Sequence, residues 1–222
     1  MSDRVVFACR CFRPELESLR RSSTRVRVEY LSQDLHRTPD RMTQVLQRAI
    51  DGVSESVAEI VLGYGLCSNG VVGLRAKRQP LVVPRAHDCV ALLLGSRDAY
   101  REAFARRPGS YYLTAGWLAS ERDPLGTLEQ DYVPRVGRED GEWALREELK
   151  NYTHIVYLRT QSEANDVHRA RAQANARFLD LQLEEVEGSR DYLQRLLEGP
   201  HEPPDFITIA PGEAVAQAAF FD

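Results

Sequence analysis

Three separate segments of the sequence carry side chains that could bind a soft metal ion or act as nucleophiles. Cys9 ends an apolar run, Cys67 lies in a glycine-rich turn, and His87 and Cys89 stand two positions apart in the segment PRAHDC. In an extended segment, side chains two positions apart point the same way. Thiolate and imidazole groups suit zinc or another transition metal, and three protein ligands leave a position for water or substrate. We therefore predict a metal site on Cys67, His87 and Cys89, with Cys9 as a fourth ligand or a neighbour.

The same residue types allow two other interpretations. Without a metal, Cys67 beside His87 could be activated as a thiolate nucleophile, and Asp88 would be the group that orients the histidine. Alternatively, Cys9 and Cys89 are small buried hydrophobic residues and His87 is a hydrogen-bonded turn residue. His36 could reach the same region but is interpreted as a solvated loop residue.

The glycine-rich turn also suggests an anion site. Backbone amides near Gly65, Asn69 and Gly70, with Arg85 close by, could hold an anionic small molecule or cofactor. The turn does not match a phosphate-loop motif, because valines at 71–72 stand where Lys and Ser or Thr would follow Gly70. Tight turn geometry explains the same glycines more simply.

Apolar runs that alternate with amphipathic segments predict how these residues are positioned. We expect strands at residues 5–9, 26–31, 59–64, 81–83, 154–158, 182–186 and 206–210. We expect the main helices at residues 39–52, 96–106, 142–149, 164–181 and 189–197. This alternation predicts an α/β fold, a mainly parallel sheet with helices on both faces, with two similar lobes as a variant. Because parallel strands end at one edge of their sheet, the candidate residues are expected to meet there.

Length and composition limit the remaining classes. We expect a single domain over residues 1–222, with a lobe boundary at 110–138 as the alternative. The aromatic segment 111–117 is either a lid over the crevice or packing beneath a loop. A net charge of -4, with basic residues scattered among acids, argues against a nucleic-acid partner. No apolar run approaches the roughly 20 residues that span a membrane, and the amino-terminal run is too short for a secretory signal, so cytoplasm is expected.

The motifs resemble a known family. The segments LHRTP at 35–39, YGLCSNG at 64–70, PRAHDC at 84–89 and PGSYY at 108–112 match, in order, the pattern of the prokaryotic domain-of-unknown-function family 1638. The chain departs from that pattern at Arg37 and Ser68, where Asn and Gly are expected, and in its additional Cys11.

The resemblance supplies no established reaction, but it implies that the protein occurs together with corrinoid-dependent methyl-transfer systems. The Cys and His residues are chemically similar to the zinc site of thiol-methylating enzymes, where zinc holds a thiol substrate as its thiolate. The leading hypothesis is therefore a zinc or similar centre that transfers a methyl or thiol group to or from a small-molecule thiol or a corrinoid carrier. A corrinoid protein or a methyltransferase would be its partner. The alternative is a non-enzymatic protein that binds an anionic ligand or delivers a metal or cofactor.

The metal hypothesis makes a geometric prediction. The sulfurs of Cys9, Cys67 and Cys89 and the ring of His87 are expected within about 8 Å of each other, since Zn–S bonds are about 2.3 Å. Cys11 is expected to point away from them.

Overall fold

A computed structural model describes residues 4–20, 25–160 and 166–221. The chain divides into two compact units, one formed by Met1–Tyr100 with Ser189–Asp222 and the other by Arg101–Gly188. The strands are β1 (Arg4–Cys9), β2 (Val26–Leu31), β3 (Glu59–Gly63), β4 (Leu81–Pro84), β5 (Ser110–Leu113), β6 (His154–Arg159), β7 (Gln182–Glu187) and β8 (Phe206–Ile209). No helix among the described residues is long and apolar enough to cross a membrane.

Ten α-helices surround these strands in the described part of the chain. They are α1 (Arg13–Arg20), α2 (Pro39–Asp51), α3 (Cys89–Leu94), α4 (Arg97–Arg106), α5 (Ala115–Ala119), α6 (Pro124–Thr127), α7 (Val133–Val136), α8 (Arg138–Leu149), α9 (Asp166–Leu179) and α10 (Asp191–Glu198). Short 3-10 turns occupy Arg10–Phe12, Gln33–Arg37 and Gln217–Phe220. Residues 164–165 of the helix predicted at 164–181 lie outside the described residues.

The first unit is built on a five-stranded sheet in the order β2-β1-β3-β4-β8. The first four strands are parallel, and β8 pairs antiparallel with β4 at the edge. The central strands β1, β3 and β4 are almost wholly buried. Their near-continuous apolar sequences are typical of parallel strands covered on both faces. The predicted α/β class with a mainly parallel sheet is confirmed.

The register of this sheet fixes what lies at its carboxyl edge. Cys9 pairs with Leu31 of β2, and Ala8 pairs with Gly63 of β3. The end of β1 therefore stands level with the ends of both neighbouring strands. Residues that follow these strands are delivered to the same place.

The second unit contains a three-stranded parallel sheet in the order β5-β6-β7. Its core is formed by apolar side chains of β5, β6, α5 and α9, namely Leu113, Leu118, Ile155, Tyr157, Ala172 and Ala176. Residues 110–113 form β5, a strand that was not among those expected from the sequence. Aromatic residues favour strands, and here Tyr111 packs edge-on against Tyr152 with ring centroids 5.2 Å apart.

An ionic contact closes the opposite, amino-terminal edge of the first sheet. Glu59 opens β3 and receives Arg4 Nε at 2.5 Å from the start of β1 and His201 Nδ1 at 3.3 Å. Burial opposes ionisation of this carboxyl, but His201 and Arg4 outweigh it and lower the pKa of Glu59.

Replacing Glu59 by Gln is expected to destabilise the protein at pH 7 by about 1–3 kcal/mol, because it removes a charged partner from half-buried groups. A lowered carboxyl pKa contributes stability above the pKa of the unfolded chain, and this contribution is lost as pH falls through the folded pKa. Urea unfolding should therefore show a difference between wild type and Glu59→Gln that shrinks on acidification. The exposed Glu102→Gln serves as the control. A difference independent of pH would contradict this account.

Candidate functional site

Four cysteines and a histidine converge at the carboxyl edge of the five-stranded sheet. Cys9 ends β1, His36 lies in the 3-10 turn after β2, Cys67 follows β3, and Cys89 opens α3 after β4. All four cysteines of the chain are buried and free. Open α/β sheets bind their ligands at this edge.

The five side chains form one continuous series of polar contacts. His36 Nε2 lies 3.2 Å from Cys9 Sγ, and the same ring hydrogen-bonds with the Cys67 thiol. On the other side, the Cys11 thiol hydrogen-bonds with both Cys9 and Cys89. The contacts therefore run from Cys67 through His36, Cys9 and Cys11 to Cys89.

Charge is unevenly distributed along this series. The hydrogen bond from Cys11, followed by the hydrogen bond and charge of His36, lowers the pKa of Cys9 to about 5 against the effect of burial. Burial also opposes charging of His36, but its bonds with Cys67 and Cys9 raise the pKa of the imidazole. Burial raises the pKa values of Cys11 and Cys67. At neutral pH the cluster therefore holds a Cys9 thiolate beside a His36 imidazolium, while Cys11 and Cys67 stay protonated.

Tyr64 adds a hydrogen-bond donor to this cluster. The side chain is fully buried, and its hydroxyl has no hydrogen-bond partner among the described residues. Burial, followed by the charges of the four cysteines, raises the pKa of Tyr64. Its ring centroid is 6.0 Å from that of His36. An unpaired buried hydroxyl lowers the stability of a protein by about 1–3 kcal/mol. The site therefore retains a destabilising hydrogen-bond donor near its thiols.

The loop that carries Cys67 is strained. Cys67, Ser68 and Asn69 have φ angles of 45°, 55° and 69° in succession. The left-handed region costs a residue other than glycine about 1–2 kcal/mol, and Asn tolerates it best. Backbone hydrogen bonds from Leu66 N to Ala86 O (2.8 Å) and from Cys67 N to His87 O (3.0 Å) hold the loop. Such strain is commonly found at functional sites.

The two glycines predicted to cradle an anion allow close packing. A Cβ on Gly65 would lie 2.6 Å from the carbonyl oxygen of Ala86, and one on Gly70 would lie 2.5 Å from the sulfur of Met42. Gly65 therefore allows the close approach of a backbone segment, whereas the closest contact at Gly70 is with a flexible methionine side chain. Their role in anion binding stays a prediction.

The other predicted residues of the PRAHDC segment have partners outside the cysteine series. His87 is exposed, with its ring 5.6 Å from that of Phe221. Asp88 caps α3 by accepting a hydrogen bond from Val90 N (2.9 Å), and it accepts another from the Tyr100 hydroxyl (2.9 Å). Catalytic roles for His87 and Asp88, and metal ligation by His87, stay predictions.

The remaining two predicted anion ligands bind the carboxyl-terminal part of the chain. Arg85 Nε donates to the carbonyl oxygen of Ala219 (2.8 Å), and Asn69 Oδ1 accepts from the Gln217 amide (3.1 Å).

One expectation is wrong, and two residues were underestimated. Cys11 does not point away but lies between Cys9 and Cys89, because the strand ends at Cys9 and the 3-10 turn Arg10–Phe12 breaks the strand alternation. His36 is a half-buried member of the cluster rather than a solvated loop residue. Its position after a strand at the same edge was the available signal. Tyr64, one residue beyond β3, had the same signal.

The thiols and imidazole do not form a ready-made metal shell. Within residues 4–20, 25–160 and 166–221, no group of three or more His, Cys, Asp or Glu side chains is arranged so that it could hold a metal ion. The polar atoms of the cluster instead share protons with one another. The donor set of three or four sulfurs and one imidazole is nevertheless the set that zinc prefers.

Replacing Ser68 by Gly is expected to stabilise the protein by about 1 kcal/mol, because glycine adopts the left-handed conformation without steric cost. Urea unfolding measures the change. Ser56→Gly, at an exposed turn position outside the left-handed region, should not stabilise. Stabilisation by both changes, or by neither, would contradict the assigned strain.

The thiolate absorbance of Cys9 near 240 nm should titrate at about pH 5. The quantity to measure is the difference in absorbance between wild type and Cys9→Ser. It is followed from about pH 4 to about pH 9, which covers the range in which free and perturbed thiols titrate. Cys11→Ala and His36→Gln should each move this step upward, because the first removes a hydrogen bond and the second a positive charge that stabilise the thiolate. A step that stays at the ordinary value in wild type would show that Cys9 is a neutral buried thiol.

Comparison with known proteins gives a family but no individual relative. No curated protein and no solved structure matches the chain. The family described as "Protein of unknown function (DUF1638)" matches residues 30–197, which include His36, Cys67 and Cys89. The predicted resemblance is confirmed, and the chain belongs to the DUF1638 family.

Proposed function

We propose that this protein binds one soft metal ion, with zinc as the reference case, through Cys9, His36, Cys67 and Cys89. The observation that carries the proposal is the contact of a single imidazole with two buried thiols, one of which, Cys9, has a pKa lowered by hydrogen bonds from Cys11 and His36. This set keeps the three cysteines predicted from the sequence and replaces His87 by His36. It is the Cys3His combination found in tetrahedral zinc sites.

One distance within the cluster is close to what such an ion needs, although the side chains of the described residues, as they stand, are not arranged to hold a metal ion. With Zn–S bonds of about 2.3 Å and Zn–N bonds of about 2.0–2.1 Å, neighbouring ligand atoms of a tetrahedral site stand roughly 3.5 Å apart. The contact of 3.2 Å between His36 Nε2 and Cys9 Sγ is close to that separation. Binding would require loss of the shared protons and small side-chain rotations, as metal binding to thiols and imidazole generally does.

Two neighbouring groups support the same assignment. Cys11, which is additional to the family pattern, hydrogen-bonds with Cys9 and Cys89 and so bridges two of the four ligands. The unpaired Tyr64 hydroxyl can donate to a sulfur that carries negative charge. Hydrogen bonds from such neighbours orient metal ligands and adjust their basicity.

The proposed reaction class is transfer of a methyl or similar group to or from a thiol. A bound zinc ion would keep its thiol ligands deprotonated at neutral pH. Because four protein ligands close a tetrahedral site, a thiol substrate would have to displace one of them to reach the ion. The cluster lies at the sheet edge where small-molecule substrates bind in this kind of fold. A corrinoid protein or methyltransferase as partner rests on the resemblance alone.

Metal content of untagged protein tests the ligand set. Wild type reconstituted with zinc and desalted should retain about one equivalent by elemental analysis, as expected for a Cys3His site. Cys9→Ser, His36→Gln, Cys67→Ser and Cys89→Ser should each retain far less. The matched controls Cys11→Ser and His87→Gln should retain the wild-type amount. Retention by His36→Gln together with loss by His87→Gln would restore the sequence-based ligand set and overturn this one.

A second candidate is metal-free thiol chemistry at Cys9. It is favoured by the lowered pKa of that thiol and the adjacent imidazolium, which are the features of activated cysteines. Iodoacetamide labelling of chelator-treated protein, followed by peptide mass spectrometry, separates the two. Selective modification of Cys9 in a protein that retains no zinc would favour the nucleophile over the metal centre.

A further inference from the structure

We propose that the carboxyl-terminal residues 211–221, named here the C-terminal strap, control access to the cysteine cluster. They do so by holding together the two loops that carry Cys67 and Cys89. The inference concerns the site assigned above, but the access it describes is independent of what the site binds.

The first half of the strap is fixed by backbone hydrogen bonds to residues 73–76. Gly212 N donates to Ala76 O (2.7 Å), Gly73 N donates to Val215 O (2.9 Å), and Val215 N donates back to Leu74 O (2.8 Å). The Val215 side chain is buried. This half is therefore a firm attachment.

The second half of the strap crosses both cysteine loops through side-chain contacts. Gln217 donates to Asn69 Oδ1 on the Cys67 loop, at 3.1 Å. Arg85, on the Cys89 loop, donates through Nε to Ala219 O at 2.8 Å and through Nη2 to Phe221 O. The Phe221 ring contacts His87, which is also on the Cys89 loop, with the rings tilted by 58° and their centroids 5.6 Å apart.

The two loops are themselves joined across the cluster. Leu66 N and Cys67 N donate to the carbonyl oxygens of Ala86 and His87 at 2.8 and 3.0 Å. The strap therefore closes over a pair of loops that already form one surface. Loss of the strap contacts removes a second connection between these loops, and the loops carry or flank cysteines that are 0% (Cys9), 6% (Cys67) and 5% (Cys89) exposed.

Opening of the strap's second half breaks hydrogen bonds that lie at the surface, where Phe221 is 46% exposed, and it also exposes the buried side chain of Phe220. Segments with few buried contacts open far more often than the core.

The test measures how fast the cysteines of chelator-treated, full-length protein react with an aromatic disulfide reagent under native conditions. Arg85→Leu, which removes two hydrogen bonds to the strap, should raise the labelling rate about tenfold, the factor that corresponds to about 1.4 kcal/mol. Gln217→Ala combined with Phe221→Ala alters only the strap and should raise the rate similarly. Arg78→Leu, an exposed arginine of the same unit, is the matched control.

Urea unfolding of each variant distinguishes local opening from global destabilisation. Faster labelling with an unchanged unfolding midpoint supports the strap. Unchanged labelling in the Gln217 and Phe221 double variant, or an equal rise in Arg78→Leu, overturns it. Zinc retention is measured separately on the same proteins. If the wild type retains no zinc but the strap variants label faster, the metal proposal is refuted and the strap proposal is supported.

Discussion

The contact between the Cys9 thiolate and the His36 imidazolium is the interaction on which the site depends. A buried charge is costly unless it is paired and hydrogen-bonded, and the pair at 3.2 Å meets both conditions with Cys11 as the additional donor. The contact exists only because β2 lies beside β1, so that the residues following both strands reach the same edge. The order of strands in the sheet is therefore a chemical constraint as well as a packing one.

The loops around this pair contain strained and closely packed residues that keep the thiols together. Three consecutive left-handed residues place Cys67, glycines at 65 and 70 admit neighbouring segments, and Asp88 caps the helix that begins with Cys89. These features flank Cys67 and Cys89, whose side chains are buried. A buried cysteine that served only as a small hydrophobic residue would need none of them. The unpaired hydroxyl of Tyr64 supports the same conclusion, because a buried polar group without an acceptor does not stabilise the packing.

Much of this arrangement was predictable from the sequence. The apolar runs predicted the strands of the first sheet, and the rule that parallel strands end at one edge predicted that Cys9, Cys67 and Cys89 belong together. The partner histidine was not predictable with the same rule alone, because β2 could have paired with another strand. Cys11 was misplaced because strand alternation was extended into what is a 3-10 turn. Glycine was expected where this chain has Ser68, and the structure gives the physical reason. Residue 68 has a positive φ, which glycine adopts without steric cost.

X-ray absorption at the zinc edge of reconstituted protein tests the central claim most directly, since it reports the atoms bound to the ion. The account predicts a shell dominated by sulfur at about 2.3 Å with a single imidazole nitrogen at about 2.0–2.1 Å. His36→Gln should remove the imidazole scattering, whereas His87→Gln should leave the spectrum unchanged. A shell of oxygen and nitrogen without sulfur, or imidazole scattering that survives in His36→Gln, would contradict the proposed site.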